Sequence, residues 1–246
     1  MERKPLNIAL VRRKFNPRKG GAEKVAGRFV EQFNARGHKV TVISEKFVGE
    51  ETEMLKWHKV PRRGIFSWSK TESFHLKAQK ILDTDNLRDS FDIVYSMCKT
   101  CPVDIFRVTE DLHPITLKLM HGPLAKFNPR HRSILKLEKQ VFQVGGVRHL
   151  VSNSRMIKRQ LIELFDFPEE RITVINNGVD PTLFYPPTPE EKQRLRQELC
   201  FDDRFVCVFS AWNFKLKGLD KAIIALSRLP RQMIDKVLLV VVGGDD

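Results

Sequence analysis

Gly20 and Gly21 stand between a basic stretch, Arg12, Arg13, Arg18 and Lys19, and a helical pattern that opens at Ala22. A glycine pair at a helix start leaves backbone N–H groups unpaired at the positive end of a helix dipole, where phosphate binds. Any tight strand-to-helix turn also uses glycine, so the pair alone leaves both readings open. The neighbouring cations favour the anion. Lys215 and Lys217 occupy a comparable place, a loop over 211–217 just ahead of Gly218. The same logic applies twice, and two such edges facing each other would make a cleft for an anion. A solvated loop with two ordinary lysines is the plainer alternative. Glu110, Asp111, His113 and His121 follow a strand-like run at 103–108. A carboxylate beside an imidazole suits general acid–base work, as it also suits a hydrogen-bonded loop.

Other reactive residue types point less sharply. Cys98-Lys99-Thr100-Cys101 has the CxxC spacing without a second cysteine pair, and reads as incidental thiols at a strand end. Cys200 and Cys207 read as small core hydrophobes. Asp83-Thr84-Asp85 spells an Asp-x-Asp string that elsewhere holds divalent metal, but it trails a polar helix and reads as a solvated turn. Neither metal nor cofactor is expected. Lys126, Arg130, Arg132, Lys136 and Lys139 give one helix a basic face, most simply a solvated surface. Set beside Trp57, Phe66 and Trp68, it also suits contact with an anionic membrane.

The elements that must position these residues follow from periodicity. A strand at 6–11, a helix carrying Val25, Ala26, Phe29, Val30 and Phe33, and a strand at 38–43 make a β-α-β unit, which favours a parallel sheet. Further strands are expected at 54–60, 91–97, 148–151 and 172–175. Helices are expected at 71–82, after Pro129, and through Met156, Ile157, Gln160, Leu161 and Leu164. Asn176-Asn177-Gly178 is a turn, and Tyr185-Pro186-Pro187-Thr188-Pro189 is stiff linker material. The reading is therefore an N-terminal Rossmann-like domain over 1–175 and a second module over 176–246. That module, with helices at 190–199 and 218–229 and strands at 205–210 and 237–242, looks like the opening of a second Rossmann-like domain whose remainder is missing. Its open sheet edge and uncovered apolar face predict a loose or self-associating module.

Composition sets outer limits. The 246 residues are 41% hydrophobic and 30% charged, which excludes a disordered or collagen-like chain. No run of about eighteen apolar residues occurs, no signal-peptide pattern opens the chain, and four cysteines are too few for a disulfide scaffold. A cytoplasmic location is expected. Lys and Arg total 43 against 30 acids, so the net charge of +13 attracts nucleic acid, anionic lipid or phosphorylated small molecules. A nucleic-acid-binding protein ranks last among these, for no such motif is present.

Read in order, several stretches resemble glycosyltransferase family 4, retaining enzymes of α/β GT-B architecture, and within it the lipopolysaccharide-core type of glucosyltransferase. They are Gly20-Gly21-Ala22-Glu23, Arg36-Gly37-His38, Asp104-Ile105-Phe106-Arg107-Val108 running into Glu110-Asp111-Leu112-His113, Asn153-Ser154 with Met156-Ile157-Lys158, Val174-Ile175-Asn176-Asn177-Gly178-Val179-Asp180, Lys217-Gly218 and Val241-Val242-Gly243. The resemblance implies a nucleotide-sugar donor, a glycan or lipid-linked acceptor held by the N-terminal domain, no metal, and a peripheral place at the inner membrane surface. It implies that Gly20 and Gly21 lie against the diphosphate or reacting sugar, with Lys217, and by position Lys215, binding diphosphate. Glu110 and His113 fall where relatives carry acceptor-side catalytic residues. Leu183 and Leu216 replace cations usual in the family, and its two-glutamate donor motif belongs beyond this stretch, so weak donor binding is expected. A noncatalytic split or decayed transferase acting as a binding protein is the alternative.

Overall fold

The computed structural model describes residues 4–18, 21–61, 67–84, 87–120, 123–143 and 145–244. The chain divides into two compact units, Met1–Gly178 and Val179–Asp246.

Unit 1 is built on β1 (Asn7–Val11), β3 (Lys39–Ser44), β5 (Leu55–Lys59), β6 (Ile93–Ser96), β7 (Val103–Arg107), β8 (Val147–Ser152) and β9 (Ile172–Val174). They form one seven-stranded sheet in the order β5-β3-β1-β6-β7-β8-β9, and every pairing is parallel. A parallel sheet covered on both faces explains why β1 reads Asn-Ile-Ala-Leu-Val rather than alternating with polar residues. Its residues still take opposite faces in turn. Ile8 and Leu10 pack with Val40, Val42 and the Ala26 and Val30 of helix α1 (Gly21–Asn34). Ala9 and Val11 belong to the other face, with Phe74 and Ala78 of α2 (Ser67–Asp83), Val141 and Phe142 of α4 (Pro129–Phe142), and Ile157 and Leu161 of α5 (Arg155–Phe165). Each large aliphatic or aromatic side chain so withdrawn from water contributes about 1.5–3 kcal/mol, and each alanine less. Local signals fix the ends: Asn128 caps α4 ahead of Pro129, and the Ser154 hydroxyl accepts from the Ile157 N–H at 3.2 Å to start α5.

Elements beyond the expected set also appear. Within the basic stretch after β1, strand β2 (Lys14–Phe15) pairs with β4 (Lys46–Phe47) as a two-residue parallel bridge. Phe15 stacks on Phe47 at 5.3 Å, and Phe47 on Trp57 at 5.6 Å. Trp57 lies in β5, within the strand expected at 54–60, and donates its indole N–H to the Ser44 hydroxyl at 3.1 Å; Phe66 and the Trp68 side chain lie outside the described residues. A short helix α3 (His113–Met120) follows β7, where no helix was expected.

Unit 2 comprises α6 (Pro189–Glu198), β10 (Phe205–Trp212), α7 (Phe214–Lys217), α8 (Leu219–Ser227), α9 (Arg231–Ile234) and β11 (Val237–Gly244). Strands β10 and β11 pair in parallel, from Phe205 with Val237 to Trp212 with Gly244. Two strands and the short helices α7, α8 and α9 that connect them are too little to enclose a core. Among its described residues none is fully buried, and Phe205 and Trp212 stay 70% and 71% exposed. Two local expectations are corrected. Strand β10 runs on to Trp212, so Lys215 and Lys217 sit in a helical turn capped by Asn213 instead of a loop. Cys200 is exposed at the end of α6, not a core residue, because unit 2 offers no core there.

Candidate active site

Strand β1 has β3 on one side and β6 on the other, so the connections leaving it diverge. Crevices in open α/β sheets form at such a point, outside the carboxyl ends of the strands. A cavity of about 580 Å³ lies there, lined by the residues that follow β1, β6 and β7, by the start of α1, and by α2 and α4. It belongs wholly to unit 1.

Arg12 and Arg13 follow directly on β1. The Arg12 backbone N–H donates to the Ile43 carbonyl at 3.1 Å, so the sheet ladder continues into the cavity wall. The Arg13 guanidinium donates to the Thr71 hydroxyl of α2 at 3.3 Å. Gly21, Ala22 and Glu23 bring the first turn of α1 to the same space. The α1 helix can start so near β1 because Gly27 lets it approach the preceding segment: a Cβ there would fall 2.6 Å from the Pro17 Cβ.

Opposite, a charged chain of contacts crosses the floor. The Lys99 ammonium, following β6, lies 3.5 Å from Glu138 and 3.6 Å from Glu110. Glu138 sits on the apolar side of α4 at 1% exposure and accepts from the His113 N–H through both oxygens, at 3.1 and 3.0 Å. Burial raises its pKa, against the Lys99 charge and the His113 amide; the Glu110 charge raises it further. The carboxylate thereby caps α3 from a neighbouring helix and ties the 108–113 segment to α4. His75 of α2, buried, bonds through Nδ1 to the Thr100 hydroxyl at 2.8 Å. Burial above all, with Lys99 and Arg13 adding repulsion, pushes its pKa down to about 3, so the ring is neutral. Burial likewise pushes the Cys98 thiol up, and its Sγ donates to the Val11 carbonyl. Cys98 and Cys101 are both free thiols.

Of the residues singled out in the sequence, Gly21 and Glu110 line this cavity, together with Arg12, Arg13, Cys98 and Arg130. Gly20 and His121 lie outside the described residues. His113 opens α3, and its Nε2 meets the His131 Nδ1 at 3.0 Å. Lys215 and Lys217 are exposed in α7 of unit 2. Asp83 is exposed at the end of α2, and Asp85 is outside the described residues. Arg107 has a structural post: buried at 3%, it donates to the Ile175 carbonyl at 3.1 Å and the Asn177 Oδ1 at 3.0 Å, tying β7 to the turn that ends unit 1. Sequence reasoning passed over His75 and Glu138. A signal existed for the second, since Glu138 falls within the apolar stripe of Ile134, Leu137, Val141 and Phe142, where an acid needs a partner.

The fold is an α/β one with a wholly parallel sheet in unit 1 and a crevice at the carboxyl ends of its strands, an architecture shared with glycosyltransferases of GT-B type. The sequence profile of Glycosyltransferase Family 4 matches residues 19–183, and the chain belongs to that family. It is similar to the lipopolysaccharide glucosyltransferase WaaG of Escherichia coli (strain K12), 22% identical over 228 residues, which are 92% of this chain and 60% of the relative. It is also similar to the D-inositol 3-phosphate glycosyltransferase of Thermobispora bispora, 35% identical over 111 residues, 44% of this chain and 25% of that one. The crystal structure of WaaG superposes with a TM-score of 0.79 at 21% identity, covering 97% of this chain and 64% of that chain. Anabaena HepE in complex with UDP and glucose gives 0.60 at 19% identity, covering 98% and 62%. The chain thus spans about 60% of the length of WaaG. No described helix is long and apolar enough to cross a membrane.

Proposed function

We propose that this protein serves the transfer of a sugar from a nucleotide-sugar donor to a glycan or lipid-linked acceptor, with retention of anomeric configuration, and that unit 1 holds the acceptor. The observation that carries this reading is the cation-lined crevice at the carboxyl edge of the parallel sheet, in a chain of this family. In such a transfer the bond from the anomeric carbon to the diphosphate breaks, and its electron pair leaves with the diphosphate while the sugar gains oxocarbenium character. Fixed amides and cations stabilise that departing charge. The amides of Gly20 and Gly21 take this role in unit 1, and Lys215 and Lys217 take it in unit 2. Glu110, at the cavity wall and held by Lys99, orients the acceptor hydroxyl. His113, anchored through its amide on Glu138, fixes the segment that presents Glu110. The names of the relatives span a lipopolysaccharide and an inositol phosphate as acceptors, and a HepE structure contains UDP-glucose.

Saturation-transfer NMR of the 246-residue chain with UDP-glucose and other nucleotide sugars tests the reading, because it registers weak binding. A donor signal is expected, and Lys217→Ala weakens it about tenfold, the worth of one charge-assisted contact. Silence from every nucleotide sugar overturns the donor assignment; binding without turnover on any acceptor favours the noncatalytic alternative.

The same reading places the protein against an anionic membrane. Leu119, Leu124 and Phe127 are 74%, 77% and 66% exposed, directly ahead of the basic face of α4 with exposed Arg130, Arg132, Lys136 and Lys139. Apolar and cationic side chains in one segment suit the headgroup zone.

A further inference from the structure

We infer that the unit 1 cavity recognises an acceptor carrying an oxyanion, a phosphate or carboxylate on a hydroxylated ring, and that Arg12 receives that group. The inference deepens the acceptor reading above and rests on it. Among the described residues, Arg12 Nε is the buried side-chain nitrogen left without a hydrogen-bond partner. The unpaired Nε is costly, and because Arg12 as a whole is only partly buried and lines the cavity, an anion there can take up its charge. Arg12 is held in place for this, since its backbone continues the β1 ladder through Ile43.

The balance of charge around the cavity agrees. Lys99 is spent on Glu110 and Glu138, two acids to its one charge, and five cations to three acids in the lining still leave the balance positive. Apart from those three, the cavity is lined by Arg12, Arg13 and Lys14 from one segment and Arg130 from α4, against Glu23. The surplus is cationic, and a planar guanidinium matches the two oxygens of an oxyanion. The rest of the lining suits hydroxyl groups: His75 is a neutral imidazole, and Glu110 accepts. About 580 Å³ accommodates a single phosphorylated sugar or polyol ring.

The test is calorimetric titration of the whole chain with glucose 6-phosphate, glucose, inorganic phosphate and UDP as probes. Glucose 6-phosphate is expected to bind at least about tenfold more tightly than glucose, inorganic phosphate or UDP. UDP binding as tightly as glucose 6-phosphate would assign the cations to the donor's phosphates and overturn the inference, as would equal affinity for glucose and glucose 6-phosphate. Arg12→Gln should erase the preference for the phosphorylated sugar. Should that variant fail to fold, Arg130→Gln, on an exposed helix position, should reduce the preference about threefold; an unchanged preference overturns the inference. An Lys192→Gln control on α6 should leave it intact. The donor assay with Lys217→Ala reads separately, so failure of one leaves the other standing or falling on its own result.

Discussion

His75 shows what a single buried side chain does to this site. Its ring is neutral because the fold strips water from it and sets Lys99 and Arg13 nearby, so it adds no charge to the cavity wall while its Nδ1 is held by the Thr100 hydroxyl. The same fact governs acid stability. Between about pH 3 and 6.5 the unfolded chain binds a proton on this ring that the folded chain does not, so stability rises with pH across that window and is lost as pH falls through it. The expected contribution is about 1.4 kcal/mol per pH unit on the steep part. Urea denaturation at pH 4.5 and pH 7 should show a smaller loss on acidification for His75→Gln than for the wild type. Equal losses would mean that the ring is protonated in the fold. Residues at this scale were only partly legible in sequence. Gly21 and Glu110 declared themselves through position after strands, whereas His75 and Glu138 acquire meaning from partners distant in the chain, Thr100 and Lys99.

Among the elements, those with a long apolar period were readable. Strands β1, β3, β6 and β8 and helices α1, α4 and α5 emerge within a few residues of their expected bounds, because a buried parallel strand and an amphipathic helix each leave a repeating trace. The β2–β4 bridge left none: two residues hold no period, and what forms it is the Phe15–Phe47–Trp57 stack between remote segments. Helix α3 is likewise short, and its start depends on the Glu138 carboxylate supplied by α4. The bridge matters because it holds the segment carrying Arg12 and Arg13, which in turn rests on α1 at Gly27. Substituting Gly27→Ala forces a methyl against Pro17, with the Cβ at 2.6 Å. Overpacking of this kind costs about 1–3 kcal/mol. A lowered Tm together with weaker glucose 6-phosphate binding is expected; a variant as stable and as tight-binding as the wild type would show that the segment is not anchored there.

For the whole molecule, net charge and its distribution decide what the protein meets. A charge of +13 acts on any anionic surface, and the exposed Leu119, Leu124 and Phe127 beside the α4 cations give one segment the means to stay. Sedimentation with vesicles should therefore show binding to phosphatidylglycerol-containing membranes that falls as salt rises, and little to phosphatidylcholine alone. Salt-insensitive binding, or none to the anionic vesicles, would remove the membrane from the account. Burial is unevenly shared: the two buried clusters lie in unit 1, while unit 2 keeps large apolar side chains exposed along β10.

The central claim is that substrate chemistry takes place at the carboxyl edge of the unit 1 sheet. Hydrogen–deuterium exchange of the chain with and without saturating UDP-glucose tests it most directly. Slowed exchange is predicted at the start of α1, over residues 21–26, and in the segment after β6, over residues 97–101. Exchange unchanged in both segments, with protection appearing only at the opposite, amino edge of the sheet around Arg88 and Arg148, would contradict it.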